Sequence, residues 1–308
     1  MSALKLRGSM VAIVTPFRND ALDEAALQRL IEMQIEAGTS AIVPCGTTGE
    51  SATLSYEEHD RVIELAVQAA RGRIQVIAGT GSNNTREAIR LTKHAKDAGA
   101  DGALLISPYY NKPTQRGLYL HFKAIAEAVD IPLAIYNIAS RTAVNIEPET
   151  FAQLAALPTV VGVKESSGNL EQMSRILQLT KGKLALLSGD DALTLPVLSI
   201  GGTGVISVTA NIVPKDVAAM VEAFQQGHID KAQRWHERLF PLTKALFLET
   251  NPIPVKTAMG LLGMIEPELR LPLCAMSEMN HERLRQALVA YGLLKGGHRR
   301  TKQKGRGR

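Results

Sequence analysis

Cysteine is scarce in this sequence and histidine is scattered, which argues against two kinds of architecture. Only two of the 308 residues are cysteine, Cys45 and Cys274, and they form no disulfide or zinc-ligand spacing. The seven histidines include no His-x-x-x-His pair. We therefore expect no metal centre and no disulfide scaffold, and a reduced, cytoplasmic setting suits such a chain.

Long apolar runs and aromatic residues are also in short supply. No apolar stretch approaches the roughly 18 residues of a membrane span, and the N-terminus lacks the pattern of a secretory signal. Aromatic residues make up 4% of the chain, whereas hydrophobic residues as a whole make up 45%. The sequence therefore predicts no membrane association and a large core built mainly from aliphatic side chains.

Acidic residues are missing from the last fourteen positions. Residues 295–308 contain seven of the 35 Lys and Arg residues, so residues 1–294 carry 28 basic against 30 acidic side chains. The net charge of +5 and the pI of 9.2 thus come from a Gly-rich basic tail, which we predict to be disordered. Such a tail could touch nucleic acid, but a solvated tail with no specific partner is the expected state.

Eight apolar, strand-like segments recur along the chain with helical patterns between them. The strands are predicted at 10–15, 41–44, 74–79, 102–107, 133–136, 160–164, 184–187 and 205–208. Helical periodicity covers 24–37, 57–70, 85–98 and 172–179, and Ser55 with Glu58 has the pattern of a capping box. Alternating strands and helices predict an α/β fold, a closed (β/α)8 TIM barrel. An open doubly wound sheet is the alternative, weakened because no Gly-x-Gly-x-x-Gly follows the first strand.

The alternation of strands and helices stops near residue 226. Three helical stretches follow, at 230–248, 255–262 and 278–294, with Asn251–Pro254 as a loop between the first two. We therefore predict a barrel at residues 1–226, a small C-terminal helical domain at 227–294 and the basic tail at 295–308.

Lys164 is the most informative polar residue of the predicted barrel, since it ends the apolar run Val160–Val163. Active sites of such barrels form at the carboxyl ends of the strands. A lysine there would point into a cavity, where loss of hydration disfavours the charged amine and favours a nucleophile. Nucleophilic amines form Schiff bases with carbonyl compounds. A lysine that simply reaches solvent is the alternative from this residue alone.

Other strand ends place complementary groups on the same rim. Thr47 and Thr48, within the turn at residues 46–49, offer backbone N–H groups and hydroxyls to an anion. Tyr136 could relay protons to the lysine, and Arg141 could bind a carboxylate with two parallel hydrogen bonds. Each of these features also has a purely structural interpretation. The segment at 46–49 could be only a turn, Tyr136 a core residue and Arg141 a surface residue.

Taken together, three motifs resemble those of the dihydrodipicolinate synthase / N-acetylneuraminate lyase family of class I pyruvate aldolases. They are Gly-Thr-Thr-Gly-Glu at 46–50, Tyr-Asn-x-x-x-Arg-Thr at 136–142 and Gly-Val-Lys-Glu at 162–165, and the resemblance covers residues 5–294. It implies that Lys164 forms a Schiff base with pyruvate, with no metal or organic cofactor. Ala139 stands where the family often has proline, which would fix the turn before Arg141 more firmly.

The resemblance also implies roles for the surrounding residues. Tyr136, Thr48 and Tyr110 would form a proton relay, with Tyr110 supplied by a neighbouring subunit. Arg141 would orient the second substrate, L-aspartate 4-semialdehyde, through its carboxylate. Contacts around the pyruvate would come from Thr47, Thr48, Gly189 and Ile206. The product would be 4-hydroxy-tetrahydrodipicolinate, made in the first committed step towards diaminopimelate and lysine.

Members of this family can be inhibited by lysine at a subunit interface, and we expect the same here. The matching positions are Ser51, Ala52, Tyr56, His59, Asn83, Glu87 and Tyr109. The family further implies a homotetramer built from tight dimers, and a Tyr110 that acts across an interface requires at least a dimer.

Two other functions stay open on the sequence alone. The first is another pyruvate-dependent aldolase, acting on N-acetylneuraminate or a 2-keto-3-deoxy sugar acid, although such lyases generally lack the arginine. The second is a non-catalytic regulator that binds a keto acid, against which the complete set of lysine, tyrosine and threonine argues.

Overall fold

The computed structural model describes residues 4–295, which include a closed barrel of eight parallel strands. The strands are β1 (Gly8–Ala12), β2 (Ala41–Val43), β3 (Gln75–Gly79), β4 (Gly102–Ile106), β5 (Leu133–Asn137), β6 (Val160–Glu165), β7 (Ala185–Ser188) and β8 (Gly204–Ser207). Each strand pairs with its neighbours in the chain, and β1 closes the ring by pairing with β8. The predicted (β/α)8 barrel is therefore confirmed, and the open sheet is excluded.

Helices connect the strands and then continue beyond the barrel. In the described part of the chain they are α1 (Glu24–Glu36), α2 (Tyr56–Ala70), α3 (Thr85–Asp97), α4 (Gln115–Ala128), α5 (Ala139–Thr142), α6 (Pro148–Leu154), α7 (Leu170–Thr180), α8 (Thr194–Ser199), α9 (Pro214–Gln225), α10 (Ile229–Ala245), α11 (Ile253–Leu261) and α12 (Glu278–Tyr291). Two short strands, Phe17–Arg18 and Ala21–Leu22, form a hairpin after β1. Within these residues no helix is both long and apolar enough to cross a membrane.

Three observed boundaries differ from the predicted ones for identifiable reasons. β1 ends before the predicted limit of residue 15, and the Thr15 hydroxyl instead donates to the carbonyl of Gly49 at 2.7 Å. α11 begins at Ile253, so Pro254 lies in the first helical turn, where a proline is tolerated, and not in the predicted loop. α12 ends at Tyr291, because Gly292 takes the left-handed conformation with φ of 94°.

The core has two layers, one inside the barrel and one between the strands and the helices. Residues of the inner layer include Met10, Ile77, Tyr136, Leu187 and Ile206. The outer layer contains the strand residues between them, since successive side chains point to opposite faces of the sheet. The interior is thus filled with mainly aliphatic side chains, as the composition predicted.

A buried ion pair connects the C-terminal helices to the barrel rim. The Lys256 ammonium of α11 donates to Glu50 Oε1 at 2.5 Å and to the Thr15 carbonyl at 3.0 Å, and both ionic side chains are fully buried. Arg270 reaches the same region, with its guanidinium 4.2 Å from the centroid of the Phe17 ring. These contacts connect Glu50, the last residue of the turn at residues 46–50, to α11 and to the segment after β1. Except for Lys295, the predicted basic tail lies outside the described residues.

Candidate active site

Lys164 lies at the carboxyl end of β6, with its side chain inside the barrel. It is adjacent in register to Tyr136 on β5 and to Leu187 on β7, which both belong to the inner layer of the core. Lys164 is only 6% exposed, and its Nζ lies 4.2 Å from the centroid of the Tyr136 ring. The predicted buried position of the lysine is therefore observed, and the alternative of a solvent-exposed lysine is excluded.

Gly189 gives the lysine side chain its space. A Cβ atom at this position would lie 3.0 Å from Lys164 Cε and 3.1 Å from Lys164 Cγ, and it would overlap Ser166 Oγ. The Ser166 hydroxyl is buried and has no hydrogen-bond partner within residues 4–295. Sequence reasoning did not single out Ser166, although it follows the lysine by two positions.

Residues on the outer face of β5 and β6 hold these two strands in register. Asn137 and Glu165 are fully buried partners, and Asn137 Nδ2 donates to Glu165 Oε2 at 3.0 Å. The other carboxylate oxygen of Glu165 accepts a hydrogen bond from the Ser167 N–H at 2.6 Å. Because each residue follows a site residue in the chain, this pair also fixes the relative position of Tyr136 and Lys164.

The turn after β2 is held tightly and presents two backbone N–H groups. The N–H groups of Gly49 and Glu50 bond to carbonyls inside the turn. Those of Thr47 and Thr48 find no acceptor among residues 4–295. The Thr48 side chain is buried, and its Oγ1 accepts a hydrogen bond from Asn251 Nδ2 at 3.0 Å. Two adjacent unpaired N–H groups are suited to an anion, as predicted for this turn.

A cavity of about 660 Å³ opens beside these elements. Its lining includes Thr47, Tyr136, Arg141 and Asn251. Lys164 does not itself line this space, but its amine faces the ring of Tyr136, which does. Thr48, Gly189 and Ile206 are likewise absent from the lining. The cavity is large enough for a small organic ligand.

Arg141 enters the cavity from the short helix α5, which Ala139 begins. Its Nη2 donates to the backbone carbonyl of Asn251 at 2.9 Å, across 110 positions of the chain. Asn251 therefore contacts both the threonine and the arginine of the predicted site. Sequence reasoning assigned Asn251 only to a loop, and nothing local in the sequence signals its two contacts.

Most positions of the predicted inhibitor site line the same cavity. These are Ser51, Ala52, Tyr56, His59, Glu87 and Tyr109. Asn83 does not line the cavity, but its Nδ2 donates to the Tyr109 carbonyl at 3.1 Å. The structure thus brings this group together around one concave surface.

Within this group, the pKa values of Glu87 and His59 are both lowered, which leaves the carboxyl charged and the imidazole neutral. Hydrogen bonds from Ser82 Oγ and Tyr56 lower the pKa of the Glu87 carboxyl, which is therefore ionised at neutral pH. Burial lowers the pKa of His59, so its ring is neutral. His59 Nε2 then donates to the Gly79 carbonyl at 2.9 Å, and Nδ1 is a buried acceptor with no partner among the described residues.

Tyr110 is separated from the cavity of its own chain. It is 90% exposed and does not line the cavity. Its backbone has φ of 73°, the left-handed region that residues other than glycine rarely adopt. The side chain is therefore presented outwards from the loop before α4, and the structure of one chain does not bring it to Lys164.

Fold and site define the chain as a (β/α)8 barrel that carries a buried lysine, facing a tyrosine, at the carboxyl end of its sixth strand. The sequence profile of the dihydrodipicolinate synthetase family matches residues 5–291, and the chain belongs to that family. A protein of Syntrophus aciditrophicus named 4-hydroxy-tetrahydrodipicolinate synthase is 58% identical over 288 residues, covering 94% of this chain and 99% of that protein.

Solved structures of dihydrodipicolinate synthases are also similar to this chain. Dihydrodipicolinate synthase from Aquifex aeolicus matches with a TM-score of 0.93 and 52% identity, covering 94% of this chain and 100% of that chain. The Acinetobacter baumannii enzyme complexed with pyruvate has a TM-score of 0.92 and 46% identity, with 94% and 100% covered. The Cyanidioschyzon merolae enzyme with lysine bound has a TM-score of 0.90 and 45% identity, with 93% and 99% covered.

Proposed function

We propose that this protein is a lyase that condenses pyruvate with L-aspartate 4-semialdehyde through a Schiff base on Lys164. The product is 4-hydroxy-tetrahydrodipicolinate, in the first committed step towards diaminopimelate and lysine. The observation that carries the proposal is the buried Lys164 amine, 4.2 Å from the ring of Tyr136 at the carboxyl end of the barrel. The names of the relatives support it, and so does the relative's complex with pyruvate.

The chemistry proceeds by covalent catalysis. The Lys164 amine attacks the ketone carbon of pyruvate, and the ketone oxygen leaves as water to give an imine. Loss of a proton from the methyl carbon gives an enamine, which attacks the aldehyde carbon of the second substrate, and the aldehyde oxygen takes up a proton. The amine of the second substrate then attacks the imine carbon, closes the ring and releases Lys164. These steps require no metal and no organic cofactor.

The surrounding residues take the roles that their positions allow. Tyr136 carries protons to and from the intermediates, together with Thr48 and with Tyr110 of a neighbouring subunit. The backbone N–H groups of Thr47 and Thr48 hold the pyruvate carboxylate, since both lack an acceptor within residues 4–295. Arg141 binds the carboxylate of the second substrate. Gly189, which leaves room for the lysine side chain, and Ile206, in the inner layer of the core, would contact the pyruvate once it is bound to Lys164.

Borohydride reduction in the presence of pyruvate tests this proposal directly. We expect a pyruvyl adduct on Lys164 by peptide mass mapping, because the reagent fixes the imine as a stable amine. Lys164→Ala should abolish the adduct and lower kcat by more than about 10³-fold while the far-UV circular dichroism spectrum stays unchanged. Lys183→Ala, at a lysine between α7 and β7, is the control and should behave as wild type. An adduct on another lysine would refute the assignment.

We also propose that lysine inhibits the enzyme by binding at Ser51, Ala52, Tyr56, His59, Glu87 and Tyr109, which line the cavity, and at Asn83, which is hydrogen-bonded to Tyr109. The ionised Glu87 would bind an ammonium group of the inhibitor. The lysine-bound relative supports this assignment.

Initial rates with millimolar L-lysine test the inhibition. We expect Glu87→Gln to weaken it by about 10-fold or more, the range for loss of one charged hydrogen bond, with little change in the uninhibited rate. Since the pKa of Glu87 is lowered, inhibition in the wild type should persist down to at least pH 5. Glu127→Gln, on the exposed surface of α4, serves as the control. Unchanged rates of the wild type with lysine would contradict the proposal.

We further infer a cytoplasmic homotetramer assembled from tight dimers. The 90% exposure of Tyr110, a residue assigned to catalysis, supports an interface at this surface, because the residue does not line the cavity of its own chain. Multi-angle light scattering measures the oligomeric state, and a monomer at catalytic concentrations would contradict the inference.

A further inference from the structure

Lys256 connects the C-terminal helix α11 to the turn that is proposed to bind the pyruvate carboxylate. Its ammonium donates to Glu50 Oε1, at the end of the turn at residues 46–50, and to the carbonyl of Thr15. It also lies 4.3 Å from the centroid of the Phe17 ring. A lysine ammonium has three hydrogens to donate, and two oxygens and one aromatic face account for all three. The side chain is fully buried, so these contacts determine where it lies.

The last two residues of the turn are both bonded to this group of contacts. The Thr15 hydroxyl donates to the Gly49 carbonyl at 2.7 Å, and the Thr15 carbonyl accepts from Lys256 at 3.0 Å. Glu50 follows Gly49, and its backbone is in the left-handed region with φ of 52°. A residue other than glycine adopts this conformation at a cost in free energy, so contacts elsewhere must stabilise it. The bond between the Glu50 carboxylate and Lys256 is such a contact.

The conformation of the turn determines which of its N–H groups are available to a ligand. The N–H groups of residues 49–51 bond to the carbonyls of Gly46 and Thr47. The N–H groups of Thr47 and Thr48 have no acceptor within residues 4–295. Because each peptide group is planar, a change of the φ angle of Glu50 moves whole peptide groups and breaks its bond to Thr47. The two available N–H groups would then lose their common direction.

We propose that Lys256 is a positioning residue for pyruvate. Through its bonds to Glu50 and Thr15, it keeps the turn at residues 46–50 in the conformation that binds the substrate carboxylate. The inference rests on the proposed function, in which N–H groups of this turn bind that carboxylate. Lys256 does not line the cavity, so it acts only through the turn.

Stability alone does not account for a buried ion pair in this place. Removing two charges from water costs about as much free energy as their attraction returns, and apolar side chains of similar size are often at least as stabilising. Charged hydrogen bonds are directional, however, and they select one arrangement of the groups that they join. The pair of Lys256 and Glu50 is therefore explained better by the geometry that it gives the turn.

Glu50→Gln keeps this geometry but removes the negative charge. A lysine ammonium only donates, so it selects the amide oxygen of the new side chain as its acceptor. The turn should keep its conformation, and the KM for pyruvate should stay within about 3-fold of the wild type. The Tm should fall, because burial lowers the pKa of Lys256 and the Glu50 charge no longer opposes that shift.

Lys256→Met combined with Glu50→Gln has the opposite effect. No buried charge remains, so the Tm should lie above that of Glu50→Gln alone. The turn has lost its bonds to α11, and the KM for pyruvate should rise by about 10-fold or more, the range for loss of one charged hydrogen bond. A purely structural pair would instead give a KM that follows the Tm from one variant to the other.

Acetone separates a misplaced turn from general damage to the site. It has the ketone and a methyl group of pyruvate but no carboxylate, so it can form an imine on Lys164 without using the turn. In the double variant, borohydride trapping of acetone on Lys164 should change by less than about 3-fold. The pyruvate concentration that gives half-maximal trapping should rise by about 10-fold or more. Equal losses for both ketones, or an unchanged half-maximal concentration of pyruvate, would overturn the inference.

Controls separate this inference from nonspecific effects and from the proposed function. Arg73→Met combined with Glu32→Gln removes an exposed ion pair, with 2.6 Å between Nη1 and Oε1, and should leave both trapping readouts unchanged. A wild type that forms no pyruvyl adduct on Lys164 contradicts the proposed function. A wild type that forms the adduct, together with a double variant at residues 50 and 256 that binds pyruvate equally well, contradicts the role of Lys256 alone.

Discussion

The position of a buried lysine side chain depends on the space that its neighbours leave for it as well as on the contacts that they make with it. The stem of Lys164 passes close to Gly189, where a methyl group would lie 3.0 Å from Cε and would overlap Ser166 Oγ. Such a contact is shorter than van der Waals packing allows, and a densely packed interior has little room to relax. The absence of a side chain at residue 189 is therefore a requirement for the position of the amine.

Gly189→Ala tests this requirement. We expect kcat/KM for pyruvate to fall by about 10²-fold, as for a displacement of a reacting group by about 1 Å. The rate of borohydride trapping should fall in parallel. Adding Ser166→Ala removes one of the two clashes and should recover part of the loss. Gly117→Ala, on α4, places its Cβ 3.2 Å from a Pro113 side-chain atom away from the cavity, and should show no change. Full activity of Gly189→Ala would contradict the steric argument.

Among the secondary-structure elements, the features that a short stretch of sequence determines were predicted correctly. Eight strands alternate with helices as expected, and the capping box before α2 is present, with Ser55 Oγ accepting from the Glu58 N–H at 3.2 Å. The strand end carrying Lys164 was predicted because an apolar run ending in a polar residue is a local signal.

Contacts between distant elements escaped prediction because no local signal encodes them. Asn251 and Thr48 are 203 positions apart, and Lys256 and Glu50 are 206 positions apart. Only the folded barrel brings the loop before α11 against the turn after β2. Lys256 lies within the apolar helix α11, and a lysine in such a helix indicates a buried acidic partner. The sequence does not show which acidic residue that partner is.

At the scale of the whole molecule, the cavity is built by more than the barrel. Thr47 and Tyr136 come from the barrel, whereas Asn251, Pro252 and Leu273 come from the C-terminal region. The division into a barrel at 1–226 and a helical domain at 227–294 stays a prediction. The shared lining nevertheless makes the C-terminal region part of the site, so its removal should disrupt substrate binding as well as packing.

Tyr110 is proposed to act in the site of a neighbouring subunit, and subunit mixing tests this proposal. Tyr110→Phe keeps the ring but removes the hydroxyl, and its loss from the relay should lower kcat by about 10²-fold or more. Lys164→Ala subunits retain Tyr110 but lack the amine. Exchange between the two variants should restore about one quarter of wild-type activity, because half of randomly formed dimers are mixed and each mixed dimer has one complete site. Mixing Tyr110→Phe with a double Lys164→Ala, Tyr110→Phe variant restores nothing and is the control. If native mass spectrometry shows mixed dimers but activity does not return, Tyr110 does not act across the interface.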